Sequence, residues 1–344
     1  MKVMVAPQAF KGTLTVFEVG EAMMRGVQKA LPGCECVFVP IADGGDGFMD
    51  VLFYYRQGTL IQQQVTGPLG ERILVEWGID EASQTAVIEL SKFSGLSLIP
   101  EHRRNPLAAT TFGIGEAILL ALDKGIRHFL IGIGGSGTND CGAGVIEALG
   151  GRFLDEWGNP LPRGGAALKE LKTIDLKGLD DRLLESTFIV GYDVKNPMTG
   201  PEGASLVYSS QKGADPVEAE RLEQAVLRFV EVIQSQLGIE LNAIEGSGAA
   251  GGAGGGLHAL LGARLISGID LVLDRAGFDR LLKDADLVVT GEGRIDRQTT
   301  YGKGPIVVAH RAKARGIPVY AFVGSVGEGY EAVYDHGITK VIPL

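Results

Sequence analysis

Apolar positions recur with two periods along the chain, and the alternation between them predicts an α/β fold. Residues 2–6 form a short apolar run ended by Pro7. Val16, Val19, Ala22, Met23 and Val27 follow at helical spacing, which predicts a helix over 15–30 stopped by Leu31-Pro32-Gly33. Residues 36–41 read as a second strand, so the opening is a strand–helix–strand unit with a parallel pair. A helix is expected next over 48–55. The stretch after it changes character. Segments 62–66, 73–78 and 85–90, with a turn at Gly67-Pro68-Leu69-Gly70, look antiparallel. A helix over 112–122 follows, capped by Thr110 or Thr111 and stopped at Lys124-Gly125. Residues 128–133 read as a strand, 144–149 as a helix, and 216–236 as a long amphipathic helix. The parallel pattern returns with strands at 287–290, 318–323 and 340–343 and a helix over 305–314.

The first and last segments thus share one character, and 344 residues are too many for one ordinary core. The expected fold class is α/β with two domains. Residues 1–62 and 286–344 would form a discontinuous Rossmann/flavodoxin-like parallel-sheet domain. A larger mixed α/β domain, 63–285, would be inserted into it.

Composition adds one anomaly. Glycine supplies 51 of the 344 residues, roughly twice its usual share. It clusters beside apolar runs, at 132–144 and 246–256, where it allows sharp turns or close approach to a ligand. The net charge of −10 argues against nucleic acid and against an anionic membrane surface. Cys34, Cys36 and Cys141 cannot form a disulfide framework, and Cys34 and Cys36 read as buried thiols. The N-terminus lacks a secretory pattern, and no apolar run approaches a membrane span. A cytoplasmic location is therefore expected.

The segment Ile131 to Asp140, IGIGGSGTND, follows a strand and precedes a helix. Backbone amides at such a turn form an anion site. Ser136, Thr138, Asn139 and Asp140 add polar groups, Asp140 as a possible metal ligand. Gly246 to Gly256 could cradle phosphate or could let a helix pack closely on its neighbour; both readings stay open. Gly132-x-Gly134-x-x-Gly137 and Gly246-x-Gly248-x-x-Gly251 also match the dinucleotide fingerprint. Glu292 and Asp296, in Thr290 to Gln298, could bind Mg²⁺, or Arg294 could merely fix that loop by a salt bridge. Lys303 stands before a helix, where it could neutralise phosphate. Asp43, Asp46 and Asp193 follow apolar runs and could hold a metal or accept a hydroxyl proton. Lys11 is a further cation at a strand end. Walker A, protein-kinase and hydrolase-elbow motifs are absent from the sequence.

Taken together, the motifs resemble those of the bacterial glycerate kinases. The matching segments are Ala6-Pro7 with Phe10-Lys11-Gly12, Ala42-Asp43-Gly44-Gly45, Ser94-Gly95-Leu96, Asn105-Pro106-Leu107 with Thr110-Thr111-Phe112-Gly113, and Ile131 to Asp140. They continue with Asp193-Val194 and Asn196-Pro197, Gln211-Lys212-Gly213-Ala214, Gly248 to Gly252, and Thr290 to Gln298 with Gly302-Lys303. They span nearly the whole chain in the family's order. The resemblance implies ATP and Mg²⁺ as nucleotide and metal, D-glycerate as acceptor, phosphorylation at the 2-hydroxyl, and an active site in the cleft between two domains.

On this reading Asp193 or Asp43 is the base and Lys303 a catalytic cation. Lys11, Ser94, Asn196 and Arg294 contact the acid. Gly134, Gly135, Ser136, Asn139, Gly248, Gly251 and Gly252 hold the nucleotide, and Glu292, Asp296 and Asp140 hold the metal. The expected partners are a small acid and a nucleotide, with no nucleic acid or membrane.

The chain departs from the family at several points. It has Gln8 and Ala9 in place of Asp-Ser, Gly45-Asp46-Gly47-Phe48 in place of Gly-Glu-Gly-Thr, Ser91-Lys92-Phe93 in place of Ala-x-Ala, and Cys141 in place of glycine. The family also extends past the last strand into a helix, whereas this chain stops at Leu344. These departures leave a kinase of another small hydroxy acid or a catalytically weak ligand-binding paralogue as alternatives, and the two dinucleotide-fingerprint matches leave an NAD-linked oxidoreductase.

Overall fold

A computed structural model describes residues 1–344; the side chains of Gln298, which closes one motif above, and of Tyr301 lie outside the described residues. Numbered along the chain, the strands are β1 (Lys2–Pro7), β2 (Glu35–Phe38), β3 (Gly58–Thr66), β4 (Arg72–Asp80), β5 (Thr85–Glu89), β6 (His128–Gly132) and β7 (Arg152–Leu154). They continue as β8 (Thr173–Asp175), β9 (Thr187–Tyr192), β10 (Arg264–Ser267), β11 (Leu287–Ile295), β12 (Val319–Val326) and β13 (Lys340–Pro343). Two compact units result, one of Met1–Tyr55 with Gly268–Leu344 and one of Arg56–Ser267.

Both boundaries differ from the expected 62/63 and 285/286. β3 pairs with β4 without interruption from Gly58 opposite Asp80 to Thr66 opposite Arg72, so it cannot be divided at residue 62. The helix Gly268–Ala276 packs on the helices Phe48–Tyr55 and Gly304–Lys313, so it goes with the first unit.

The first unit holds a five-stranded sheet of order β13-β12-β11-β1-β2, parallel throughout. Val3, Met4, Val5 and Ala6 are all fully buried, as expected of a strand covered on both faces. Thr15 and Glu18 form a capping box that starts the helix Val16–Ala30. Gly20 lets that helix approach β2, because a Cβ there would lie 2.1 Å from the Phe38 ring. β11 runs five residues beyond the expected end at Thr290, because β12 continues beside it as far as Ile295 opposite Val326.

The second unit holds a six-stranded sheet of order β10-β9-β6-β5-β4-β3. β10, β9, β6 and β5 are mutually parallel, while β4 pairs antiparallel with both β5 and β3. Trp77, Ile88, Phe93 and Phe129 are buried in its core, with Phe129 stacked on Phe188 at 4.7 Å. A second core forms where Phe153, Ile174, Val226 and Phe229 meet, around the helix Pro216–Leu237, which Asp215 and Glu218 cap and Gly238 ends in the left-handed region. Among the described residues no helix is long and apolar enough to cross a membrane.

Parallel strands deliver their following loops to one edge of a sheet. In the first unit these are the loops after β1, β2 and β11. In the second they are the loops after β5, β6 and β9.

The stretch Gly246 to Gly256 packs closely against its neighbours. A Cβ on Gly256 would lie 1.7 Å from the Cys141 carbonyl oxygen. Gly256→Ala should therefore destabilise the second unit by about 2–3 kcal/mol or more. Gly26, inside the helix Val16–Ala30, has no atom within 4 Å of an added Cβ, and Gly26→Ala should stabilise the protein by roughly 0.5–1 kcal/mol. Urea unfolding of the two variants should move in opposite directions.

Candidate functional site

In the first unit an acidic group with one lysine forms at and beyond the carboxyl ends of β2 and β11. Glu292 lies near the end of β11 and is 8% exposed. Its Oε1 accepts a hydrogen bond from the Thr299 hydroxyl at 3.0 Å. That hydroxyl also accepts from the Asp296 amide at 3.2 Å, which fixes the turn between them. Burial pushes the Glu292 carboxyl up to about 7; Lys303 opposes the shift, while Asp43 and Asp296 reinforce it. Asp43, Asp296 and Lys303 thus sit close enough for Glu292 to feel their charge.

Lys303 occupies the cap position of the helix Gly304–Lys313, and Pro305 begins its first turn. Arg294 is exposed, with Nε 3.5 Å from Asp296 Oδ2. This is the salt bridge that the sequence left as the plainer reading. Lys11 lines a separate open cavity of about 390 Å³ with Ala9, Asp46 and Asp50.

Gln8 belongs to this region and was legible in the sequence only as a departure from the family. It is buried, and its Oε1 has no partner among the described residues. That oxygen lies 2.6 Å from where a Cβ would stand on Gly304.

In the second unit the loops after β5, β6 and β9 interlock. Gly137 donates its amide to Ser94 O at 2.9 Å, and Leu96 donates to Gly135 O at 2.9 Å. Gly135 makes the turn with φ +74°. The amides of Gly134, Gly135 and Ser136 find no acceptor among the described residues. The Ser136 hydroxyl accepts from the Thr138 amide at 3.0 Å and meets the Thr138 hydroxyl at 2.9 Å. Asn139 is fully buried; its Nδ2 donates to Ser205 Oγ at 3.0 Å, and its Oδ1 has no partner among the described residues. Ser94 Oγ is likewise buried without one. Asp193 is half-buried, and its charge acts on Tyr208 and Lys212. Asn196 accepts from the Tyr208 hydroxyl at 2.9 Å and donates to Glu202 O at 2.7 Å, so both ends of its amide are engaged.

Two sets of expected site residues are engaged by the protein's own groups, Asp140 first. It is fully buried, and its oxygens accept from the Thr111 amide at 2.8 Å, the Thr111 hydroxyl at 2.9 Å, the Gly142 amide at 3.1 Å and the Gly144 amide at 3.3 Å. Gly248 and Gly252 do not offer amides to a ligand. Gly248 donates to Asn196 O at 2.9 Å, and Gly252 donates to Gly248 O at 3.1 Å. Gly251, beside them, accepts from Cys141 N at 3.1 Å, and a Cβ on it would lie 2.3 Å from Thr138 O. The glycines there bring two backbones together. Cys34 and Cys36 are half-buried rather than buried.

Lys212 was missed. It is 3% exposed and donates from Nζ to Thr138 O at 2.6 Å. A lysine in a polar stretch reads as a surface residue, and only burial distinguishes it.

Comparison with known proteins agrees with this arrangement of motifs. The family model described as "Glycerate kinase family" matches residues 3–344. A glycerate kinase of Bacillus subtilis (strain 168) is 47% identical over all of this chain and 90% of its own length. A glycerate 2-kinase of Escherichia coli (strain K12) is 42% identical over all of this chain and 90% of its own. The crystal structure of a candidate glycerate kinase 2 from Salmonella typhimurium LT2 superposes with a TM-score of 0.82 at 42% identity, covering 100% of this chain and 90% of that one. The chain belongs to the glycerate kinase family.

Proposed function

We propose that this protein transfers the terminal phosphoryl group of ATP to the 2-hydroxyl of D-glycerate, giving 2-phosphoglycerate and ADP, with Mg²⁺ as the divalent ion. The observation that carries the reading is the run of three successive unpartnered amides at Gly134–Ser136, on a turn closing a buried parallel strand. Amides fixed in this way stabilise phosphate oxygens without reorganising during the reaction. The names of the relatives supply the acceptor.

Phosphoryl transfer asks for positioning and charge neutralisation. Asp193 is the candidate base: its carboxylate would orient the 2-hydroxyl and take its proton as the O–P bond forms. Lys303 would offset charge on a phosphate oxygen. Asp43, Glu292 and Asp296 are oxygen donors of the kind Mg²⁺ prefers, although among the described residues no three His, Cys, Asp or Glu side chains converge on a ready-made metal site. Mg²⁺ keeps several waters and takes one or two carboxylates together with substrate phosphates. Glu292 and Asp296 are the residues that would hold it, and when bound it would neutralise the phosphate charge.

Incubation with ATP, Mg²⁺ and D-glycerate should release ADP, and phosphorus NMR should show the 2-phosphate. ADP release only with a different hydroxy acid would overturn the acceptor, and no ADP with any acid would overturn the activity. Asp193→Asn should lower kcat by about 10²–10⁴-fold; unchanged turnover would remove Asp193 from the role of base.

Glu292 also makes stability depend on pH. Its folded value of about 7 lies above its ordinary 4.5, so the neutral form is favoured by folding. The associated stability is fully present below pH 4.5 and is lost as pH rises through about 7. Glu292→Gln should therefore flatten the unfolding free energy across this window. At pH 8 the variant should be more stable than the parent by up to about 3 kcal/mol. A variant less stable at pH 8 would contradict the assignment.

A further inference from the structure

Lys212 ends the turn Ser210–Lys212 after the short helix Ala204–Tyr208. An ammonium carries three N–H donors. Here Thr138 O, at 2.6 Å, is the one acceptor among the described residues, and no carboxylate lies within 4.0 Å. Asp193 and Asp140 act on it only from further away, and burial pushes the ammonium down to about 8. Asp140 is already committed to four donors. A buried, incompletely paired ammonium costs several kcal/mol unless something compensates it.

Its surroundings are short of partners too. Ser209 Oγ, Asn139 Oδ1 and Ser94 Oγ are buried with none among the described residues. The lysine is tied to the amide turn as well, because Ser136 Oγ donates at 3.3 Å to the same Thr138 carbonyl that Lys212 holds. The ammonium and the Ser136 hydroxyl, which belongs to the turn that carries the unpartnered amides, therefore meet at one carbonyl.

We propose that Lys212 is a phosphate-binding residue, whose ammonium takes a phosphoryl oxygen held also by the Gly134–Ser136 amides. Thr138 O aims the ammonium, and the remaining two N–H groups are left for the ligand. A lysine at such a place acts as a point charge on phosphate. The identity of that phosphate as a nucleotide's rests on the kinase reading above.

The test uses the full chain and Lys212→Met, with calorimetric titration of ADP, inorganic pyrophosphate and D-glycerate, and the Tm of the unliganded protein. Replacing an uncompensated buried charge by an apolar chain of similar length should leave Tm unchanged or raise it. Affinity for ADP and pyrophosphate should fall about 10-fold or more, while affinity for D-glycerate stays unchanged. A lower Tm with unchanged ADP affinity would make Lys212 a structural clamp and overturn the proposal. A loss confined to D-glycerate would overturn it in favour of a carboxylate contact. Lys212→Gln serves as the second variant, and if both variants unfold without ligand the lysine is structural. Failure of the kinase reading shows separately, as ADP binding by the parent protein without turnover of D-glycerate; the Lys212 assignment is then decided by the ADP and pyrophosphate titrations alone.

Discussion

The buried carboxylate of Asp140 organises the second unit's functional edge. Its oxygens gather the amide and hydroxyl of Thr111 and the amides of Gly142 and Gly144. Burial still outweighs these four donors and pushes the carboxyl up from its ordinary value. The Thr111 hydroxyl in turn accepts the Val145 amide at 3.2 Å. One side chain thereby joins the start of the helix Phe112–Asp123, the end of the loop after β6 and the start of the helix Ala143–Ala148. Removing it would leave several buried donors unpaired, each costing about 1–3 kcal/mol.

The glycine excess has a related cause. Gly251 and Gly256 bring the Gly246–Gly256 stretch into backbone contact with Thr138 and Cys141, at separations no Cβ allows. Gly165 does the same from another side, since a Cβ there would lie 2.2 Å from Asn139 O. Gly144 lies close to Thr110 and Thr111, with a Cβ position 2.3 Å from Thr110 Oγ1. The loop after β6 is thus held by close backbone contacts on several sides. A rigid turn of this kind presents amides in fixed directions, which is what anion recognition in a dry site demands.

The first unit uses a different device. Its polar edge gathers ionisable groups around Glu292, which is kept protonated to an unusually high pH by burial and by Asp43 and Asp296. Thr299 holds both the Glu292 carboxylate and the Asp296 amide. In the second unit the directions are set in advance.

The sequence by itself determined the alternation of elements, because periodicity records which faces are apolar, and burial in a parallel sheet leaves an unbroken apolar run such as Val3–Ala6. It determined the family as well, because Ile131 to Asp140, Asp193 and Thr290 to Asp296 occur in the right order along one chain. Tertiary structure alone decided which polar residues of those motifs face inward. Asp140 and Glu292 look alike as acids on glycine-rich segments, yet one spends its oxygens on backbone amides and the other stays next to a lysine. Gly134 and Gly248 look alike as glycines, yet one keeps its amide and the other gives it to Asn196. Lys212 stood in a family segment with no role assigned to it, and only its burial sets it apart. The reason is common to all three cases: a polar group's role depends on how many hydrogen-bond partners reach it, and those partners come from residues far away in sequence.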